Sequence, residues 1–520
     1  MNKLEKSGQF DVEALRKQVS DTETRNDASK HAAGETPGIN PYARRIAEQF
    51  RDGTYSPTII IGQLRLLEFL TQFVIGLAAF YFAPGDGSDS MLMRVVMAAI
   101  VSALTVVALQ LADTYSIPAL RARVRYLPHA FAAFAIVFVL TTGAFSLLRG
   151  LSAATAESYG IWFVAGALFL VIERFLVAQG VRNWARNGIM ERRAVIVGGG
   201  EPAKELIRML EQQADNDIRV CGIFDDRGEK RSPIMVAGYP KLGTVSELVE
   251  FVRMTRIDML IIALPLSAEA RIFELLKKLW VLPVDIRLAA HANRLRFRPR
   301  AYSHVGAVPM LDIFKKPIRD WDSVAKRAFD IFFTIIALCL LWPVMVATAI
   351  AVKATSEGPV FFKQKRHGFN NEVINVFKFR SMYTNMSDPT AKAAVTKGDP
   401  RVTRVGRFIR KTSIDELPQL FNVLKGELSL VGPRPHAVLA QAHDRAFADI
   451  VDGYFARHRV KPGVTGWAQI NGWRGEVDND EKIKFRTAYD LYYIENWSLW
   501  FDLKILFLTP IRLLKSENAY

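Results

Sequence analysis

The sequence predicts a membrane protein of mixed fold class: a four-helix transmembrane bundle, a Rossmann-like α/β domain, and a second α/β domain carrying a re-entrant membrane helix. Three observations predict it. Four apolar stretches of near-membrane length follow one another between residues 64 and 178. Short apolar runs then alternate with helical patterns from residue 192 onward, and a fifth apolar run, basic on both flanks, opens the C-terminal part. Of the 520 residues 50% are hydrophobic yet 23% are charged, which excludes a carrier made only of spanning helices. Lys and Arg number 68 against 52 Asp and Glu, a formal net charge of +16. In a chain with spanning helices that excess marks cytoplasmic loops and contact with anionic lipid; no basic stripe with interleaved aromatics points to nucleic acid. Cys221 and Cys339 are the only cysteines, too few for a disulfide framework or a Cys-based zinc site.

In chain order, residues 1–57 are polar, mixed in charge and without sustained periodicity, which predicts a disordered cytoplasmic arm; no apolar core of a signal peptide follows the start. The stretches 64–82, 91–112, 128–148 and 160–178 read as the four spanning helices of a bundle over 58–180. The loop 83–90 has no Lys or Arg, the next holds Arg121, Arg123 and Arg125, the third has Arg149 alone, and the exit has Arg182, Arg186, Arg192 and Arg193. That alternation places both ends of the bundle in the cytoplasm. Arg65, Glu68, Glu173 and Arg174 are expected to pair between helices near the interface. Over 192–317, the strand-like RRAVIV leads through Gly198, Gly199 and Gly200 into a helix, and RVCGIFDDR ends in Asp225 and Asp226. Further buried strands at 258–265 and 284–290, around a helix at 271–280, predict a parallel sheet. A glycine turn at a helix start can cradle phosphate and an acidic strand end can bind a ribose, but the spacing is not G-x-G-x-x-G. Nucleotide sensing and pairing of two copies into a homodimer both remain open for this domain.

The fifth apolar run, 329–352, is long enough to span, but Lys326 and Arg327 precede it and Lys353, Lys363, Lys365 and Arg366 follow it. Both flanks carry the cytoplasmic signature, so the run is expected to enter the membrane, break at Pro343 and turn back. Farther on, Arg401, Arg404, Arg407, Arg410 and Lys411 precede an acidic pair, Asp415 and Glu416. Ser413 or Asp415 as N-cap, a Ser413-x-x-Glu416 capping box and Pro418 in a first turn predict a helix that starts at this pair, with both carboxylates at its positive end. Two adjacent carboxylates can hold Mg²⁺, which takes oxygen ligands and substrate phosphates. The C-terminal WSLWFDLKILFLTPIRLL reads equally as a helix lying in the membrane interface or as a core helix.

From about residue 324 to the C-terminus the chain resembles the bacterial sugar transferases called monotopic phosphoglycosyl transferases. The resemblance rests on KFRSM, SIDELPQLFNVLKGELSLVGPRP, VKPGVTGWAQING and YDLYYIENWS, in that order. The preceding helices and α/β domain resemble the large, membrane-bundle subclass of that family. The resemblance implies transfer of a sugar 1-phosphate from a UDP-sugar to a polyprenyl phosphate with release of UMP, at the cytoplasmic face of a bacterial inner membrane. The stretch 471–505 is similar to members that load glucose 1-phosphate onto undecaprenyl phosphate at the start of exopolysaccharide assembly; UDP-galactose is the alternative donor. Carried over to this sequence, the resemblance implies a nucleophilic Asp415, a Mg²⁺-associated Glu416, functional basic residues at Lys378, Arg380, Arg410 and Arg434, and a later aspartate at Asp490, all within a catalytic domain over 324–520. Ser381 stands where the family commonly has threonine. Two other classes fare worse. Nucleotide-sugar dehydratases and epimerases rely on Tyr-x-x-x-Lys, and no tyrosine here is followed by lysine at that spacing. A non-enzymatic assembly scaffold leaves Asp415, Glu416 and the arginine cluster without a role.

Overall fold

A computed structural model describes residues 39–50, 56–82, 90–116, 119–120, 125–149, 153–186, 191–212, 218–228, 232–289, 302–305, 308–386, 399–436, 441–442, 445–451, 453–473, 475 and 480–515. The chain forms two compact units, one of residues 53–192 with 217–219, the other of the remainder.

The first helix, α1 (Pro41–Gln49), belongs to the second unit. Four long helices make up the first: α2 (Pro57–Phe82), α3 (Met91–Leu111), α4 (Leu127–Arg149) and α5 (Ala153–Arg186), each long and apolar enough to cross a bilayer. Around their shared core, α2 packs on α3 and α5, and α4 on α3 and α5. Leu64, Val101, Leu109, Phe134, Phe138, Trp162 and Leu170 fill that core, while Val74, Leu140, Val164 and Leu176 stay exposed, so the helices are apolar on both faces. The expected pairing of charges holds for Glu68 and Arg174, 2.7 Å apart, and the Tyr115 hydroxyl also donates to Glu68. The loop 83–89 and Arg121 and Arg123, used above to orient the helices, lie outside the described residues.

The second unit contains an eight-stranded sheet with β1 (Arg192–Val197), β2 (Ile218–Phe224), β3 (Met235–Val236), β4 (Tyr239–Gly243), β5 (Met259–Ile262), β6 (Asp285–Ala289), β7 (Tyr302–Val305) and β8 (Val308–Phe314), in the order β3-β4-β2-β1-β5-β6-β8-β7. The helices α6 (Glu201–Glu211), α7 (Val245–Met254) and α8 (Glu269–Leu279) connect its strands. The pairs β1/β5, β5/β6 and β2/β4 are parallel as expected. The sheet as a whole is mixed, because β8 pairs antiparallel with β6, and β7 and β3 add antiparallel edges. A two-residue link between β7 and β8 forces a hairpin, which a parallel crossover cannot make. Thr244 and Glu247 form a full capping box at the start of α7.

The disordered arm expected over 1–57 needs a correction. Residues 1–38 and 51–55 lie outside the described residues, but 39–50 are ordered around α1. Asn40 caps the helix by accepting from the Tyr42 amide at 3.0 Å, Pro41 pre-sets the first turn, and Ala43, Ile46 and Ala47 are buried in the same core as Phe251, Leu260 and Ile286. Burial of one narrow apolar face outweighs the polar composition around it.

The C-terminal block clusters in the same compact unit. It opens with α9 (Asp320–Thr355), which stays helical through Pro343, contrary to the expected break: an interior proline costs one hydrogen bond without necessarily ending a helix. Both ends of α9 pack on this block. Near its start Arg327 donates to the carbonyls of Val423 and Leu424, and Lys326 is buried between Asp330 and Asp502 at 2.9 and 2.8 Å. Near its end Val352 packs with Phe379 and Ile409, and Ser356 accepts from Arg380. Between these ends Phe332, Leu340, Trp342 and Ile350 are exposed. The hairpin β9 (Phe361–His367) and β10 (Val373–Phe379) follows, then α10 (Arg404–Lys411), α11 (Gln419–Lys425), β11 (Ser429–Val431) paired parallel with β12 (Gly463–Thr465), α12 (Trp467–Ile470), α13 (Asp480–Glu495) and α14 (Leu499–Lys515). Of the two expectations for the last helix, core packing holds for one face of α14, where Asp502 and Ile505 are fully buried, while Trp500, Phe507 and Ile511 are exposed.

Candidate active site

Asp415 and Glu416 sit in an elbow between α10 and α11. Thr403 caps α10 by accepting from Gly406 N at 2.8 Å, and Ser413, at φ 61°, closes that helix with its amide on the Arg410 carbonyl. The expected capping box is therefore absent. An N-cap needs extended backbone, and Ser413 is left-handed, so a 3₁₀ turn, Ile414–Glu416, carries the carboxylates one turn ahead of α11. A non-glycine residue at positive φ is the kind of strain that persists where the surroundings over-determine it.

Glu416 is held by two cations. Lys378 Nζ on β10 lies 2.9 Å from its Oε1, and Arg434, just after β11, donates from Nη2 to Oε1 at 2.6 Å and from Nη1 to Oε2 at 3.2 Å. Asp415 is buried, and among the described residues no side chain donates a hydrogen bond to it. Burial pushes its carboxyl up to about 6, with Lys378 opposing the shift, Glu416 adding to it, and Arg410 and Arg434 opposing it again. Arg410 thus faces the pair electrostatically from the end of α10.

One member of the site was missed in the sequence. Arg366 on β9 is half-buried beside Arg434, Glu416 and Asp415; desolvation, and then Arg434, lower its pKa to about 10 against the opposing pull of Glu416 and Asp415. It donates to the Pro435 carbonyl and to Gln364 Oε1 at 2.8 Å. In the antiparallel register Arg366 opposes Ile374 and Lys378 opposes Phe362, so Arg366 and Lys378 share one face of the hairpin. That alternation is present in FFKQKRH and VINVFKF, and reading the two runs as one hairpin would have found it.

Two other expected residues stand elsewhere. Arg380 is buried with its guanidinium on Ser356 O at 2.6 Å, Ser356 Oγ at 2.9 Å and Thr384 Oγ1 at 3.1 Å, where it ties the end of α9 to the KFRSM segment. Asp490 on α13 pairs with the fully buried Arg457, which in turn donates to the Arg434 carbonyl at 2.8 Å. Arg457 also contacts Tyr454 and His436, whose ring burial keeps neutral. Asp490 therefore acts on the site through Arg457 and the backbone of Arg434. The run FARHRVKPG hid Arg457, because two arginines beside a histidine read as a surface.

Lys378, Arg366, Arg410 and Arg434 are four cations against two carboxylates. The surplus suits a ligand that brings at least two negative charges close together, as a pyrophosphate does. Among the described residues no three His, Cys, Asp or Glu side chains gather as metal ligands. Mg²⁺ needs only one or two carboxylates when substrate phosphates and water complete its shell, so the donor set of Asp415 and Glu416 fits that ion.

Comparison with known proteins shows the family. The family described as bacterial sugar transferase matches residues 321–516, and one described as a CoA-binding domain matches 110–290. An undecaprenyl-phosphate glucose phosphotransferase of Komagataeibacter xylinus is 37% identical over 85% of this chain and 80% of its own length. The chain belongs to the bacterial sugar transferase family. A UDP-glucose:undecaprenyl-phosphate glucose-1-phosphate transferase of Escherichia coli (strain K12) is 38% identical over 69% of this chain and 75% of its own length. A UDP-galactose-lipid carrier transferase of Erwinia amylovora is 31% identical over 69% and 76%.

Proposed function

We propose that this chain transfers glucose 1-phosphate from UDP-glucose to undecaprenyl phosphate, releasing UMP, as the first membrane step of exopolysaccharide synthesis at the cytoplasmic face of a bacterial inner membrane. The observation that carries the reading is a buried carboxylate, Asp415, beside a second one that is clamped by Lys378 and Arg434. Glucose is favoured over galactose because the relatives named for glucose are 37% and 38% identical and the one named for galactose 31%.

The donor pyrophosphate docks on the surplus positive charge of Arg366, Arg410, Arg434 and Lys378. An Asp415 oxygen attacks the phosphorus that bears the sugar; an oxygen–phosphorus bond forms, the bond to the bridging oxygen breaks, and UMP departs with that oxygen and its electron pair. A phosphate oxygen of the lipid then attacks the same phosphorus, and the Asp415 carboxylate is released unchanged. A carboxyl held near 6 is a better nucleophile than an ordinary one and is still mostly ionised at neutral pH. Asp415 and Glu416 are the residues that would hold Mg²⁺, and a bound Mg²⁺ supplies further neutralisation of the pyrophosphate. Burial of Asp415 limits access of water to the covalent intermediate.

The lipid acceptor requires the site to sit at headgroup level. That both ends of α9 return to one block, with exposed apolar residues between them, supports a helix that enters the bilayer and turns back. The decisive experiment incubates purified membranes with UDP-glucose and undecaprenyl phosphate. UMP release should be abolished in Asp415→Asn, with the variant still folded and membrane-bound, and a sugar-phosphate adduct on Asp415 should be trapped when acceptor is withheld. Near-normal UMP release by that variant would refute the covalent step.

A further inference from the structure

A second cluster of cations lies away from the carboxylates, around a cleft. A cleft of about 690 Å³ opens at the N-terminal edge of the parallel strands, where Ile257 leads into β5 and Val284 into β6. This is the edge opposite the glycine turn after β1. The glycine turn itself is already filled: Gly199 N donates to Asp225 Oδ2 at 2.7 Å, Asp225 is bound by Arg227, and Asp226 accepts from Val245 N and Arg271. The chain's own carboxylate thus takes the place a phosphate would need, and the crevice that usually takes nucleotides in such sheets offers one no anion seat.

The lower cleft has the opposite character. Arg44 on α1, Arg253 in the last turn of α7, Arg256 just after it, and Lys316 before α9 line it against only Glu48 and Glu372. Arg253 pairs with Glu250, but among the described residues Arg44, Arg256 and Lys316 have no ion-pair partner within 4 Å. Burial lowers the pKa of Lys316, and Arg256 lowers it further, against the opposing charge of Asp258, Asp285 and Asp320. Such a group gains from an added anion. Val252, Pro283 and Phe369 give the cleft an apolar wall, and its volume is in the range of roughly 300–1,000 Å³ that holds small organic ligands, much more than a bare phosphate fills.

One wall is the tip of the β9–β10 hairpin. Asn370 and Asn371 are left-handed there, at φ 50° and 65°, and Asn370 Nδ2 donates to the Val252 carbonyl at 3.3 Å. From this tip a continuous ladder runs back to Arg366 and Lys378.

We propose that this cleft binds a phosphate-bearing anion with an organic body, supplied as a soluble nucleotide or as an anionic lipid headgroup, and that the bound anion ties the hairpin tip to the α/β sheet. The cations of Arg256 and Lys316 take the phosphate, and the apolar wall takes the body. The reading goes beyond the transfer reaction and does not depend on it.

The test uses the full chain in nanodiscs of neutral phosphatidylcholine, with ADP as the soluble probe and hydrogen exchange of residues 252–257 and 366–373 as the local readout. ADP should slow exchange in both segments. The paired variant Arg256→Gln with Lys316→Gln should weaken this at least tenfold in ADP concentration, the charge-keeping pair Arg256→Lys with Lys316→Arg should retain it, and Arg434→Ala in the other site should leave it in place. If ADP has no effect but phosphatidylglycerol in the nanodisc protects the same segments with the same dependence on charge, a lipid headgroup is the source and the proposal stands. Protection that persists in the glutamine pair, or none with either probe, overturns it.

Discussion

Glu416 has both oxygens on cations while Asp415 receives no donor from a described side chain, and in the proposed reaction this asymmetry divides their work. A carboxylate fixed by Arg434 and Lys378 is a poor nucleophile and a good organiser of phosphate; a buried carboxylate with an upward-shifted pKa is the reverse. Arg366 belongs to the organising set. Arg366→Met should lower kcat/KM for UMP release by about 10²-fold, the usual scale for losing one donor to developing charge, and Arg366→Lys should restore only part, because lysine cannot span Gln364 and Pro435 as a fork does. Wild-type kinetics in the methionine variant would remove Arg366 from the site. Asp490 behaves differently because it touches Arg457 and not the carboxylates. Asp490→Asn leaves Arg457 buried without its counter-charge, so stability should fall by about 3–5 kcal/mol in a thermal or denaturant melt. Since Arg457 holds the Arg434 carbonyl, kcat should also fall at temperatures where the variant is still folded; a change in stability with kcat intact would limit Asp490 to the scaffold.

Among the elements, α1 gives the sharpest test of packing over composition. Ile46→Ala removes a buried side chain from the α/β core and should cost about 2 kcal/mol, the low end for such truncations because α1 lies at the edge and can relax. An unchanged unfolding midpoint would mean that α1 is not docked in solution. Its signals, Asn-Pro at the start and apolar residues at Tyr42, Ala43, Ile46 and Ala47, are in the sequence but span only nine residues inside a polar stretch. Periodicity sufficed where an element was long or fully buried: the four apolar helices, β1, β2, β5, β6 and α8 are all legible in the chain. It failed where distant partners decide. No local pattern says that β8 joins β6 antiparallel, or that Ser413 ends α10 and does not start α11. The site divides the same way. Asp415, Glu416 and Arg410 are neighbours in sequence, whereas Arg366 and Arg457 reach the site through strand register and a buried ion pair.

At the scale of the whole molecule, the topology of α9 decides whether Asp415 and a polyprenyl phosphate can meet. The helix has 36 residues, and a straight helix of that length is about 54 Å long, far more than the ~30 Å core of a bilayer. Its ends nevertheless bind neighbouring parts of one block: Arg327 holds Val423 and Leu424 on α11, Ser356 is held by Arg380 just past β10, and α11 and β10 are themselves joined by Asn422 and Phe377 at 2.9 Å. A straight crossing would separate these partners by more than a membrane thickness and would break the buried Lys326–Asp502 pair or the Ser356–Arg380 bond. Pro343, near the middle of the exposed apolar stretch, removes one backbone hydrogen bond and is where the helix can bend most cheaply. Single cysteines at Ser323 and Glu357, which lie outside the apolar stretch on either side, in a background lacking Cys221 and Cys339, should therefore both react only with reagents that reach the cytoplasm. Labelling of position 357 from the opposite side of the membrane, with position 323 still cytoplasmic, would establish a true crossing and take the carboxylate pair away from the pool of UDP-sugar.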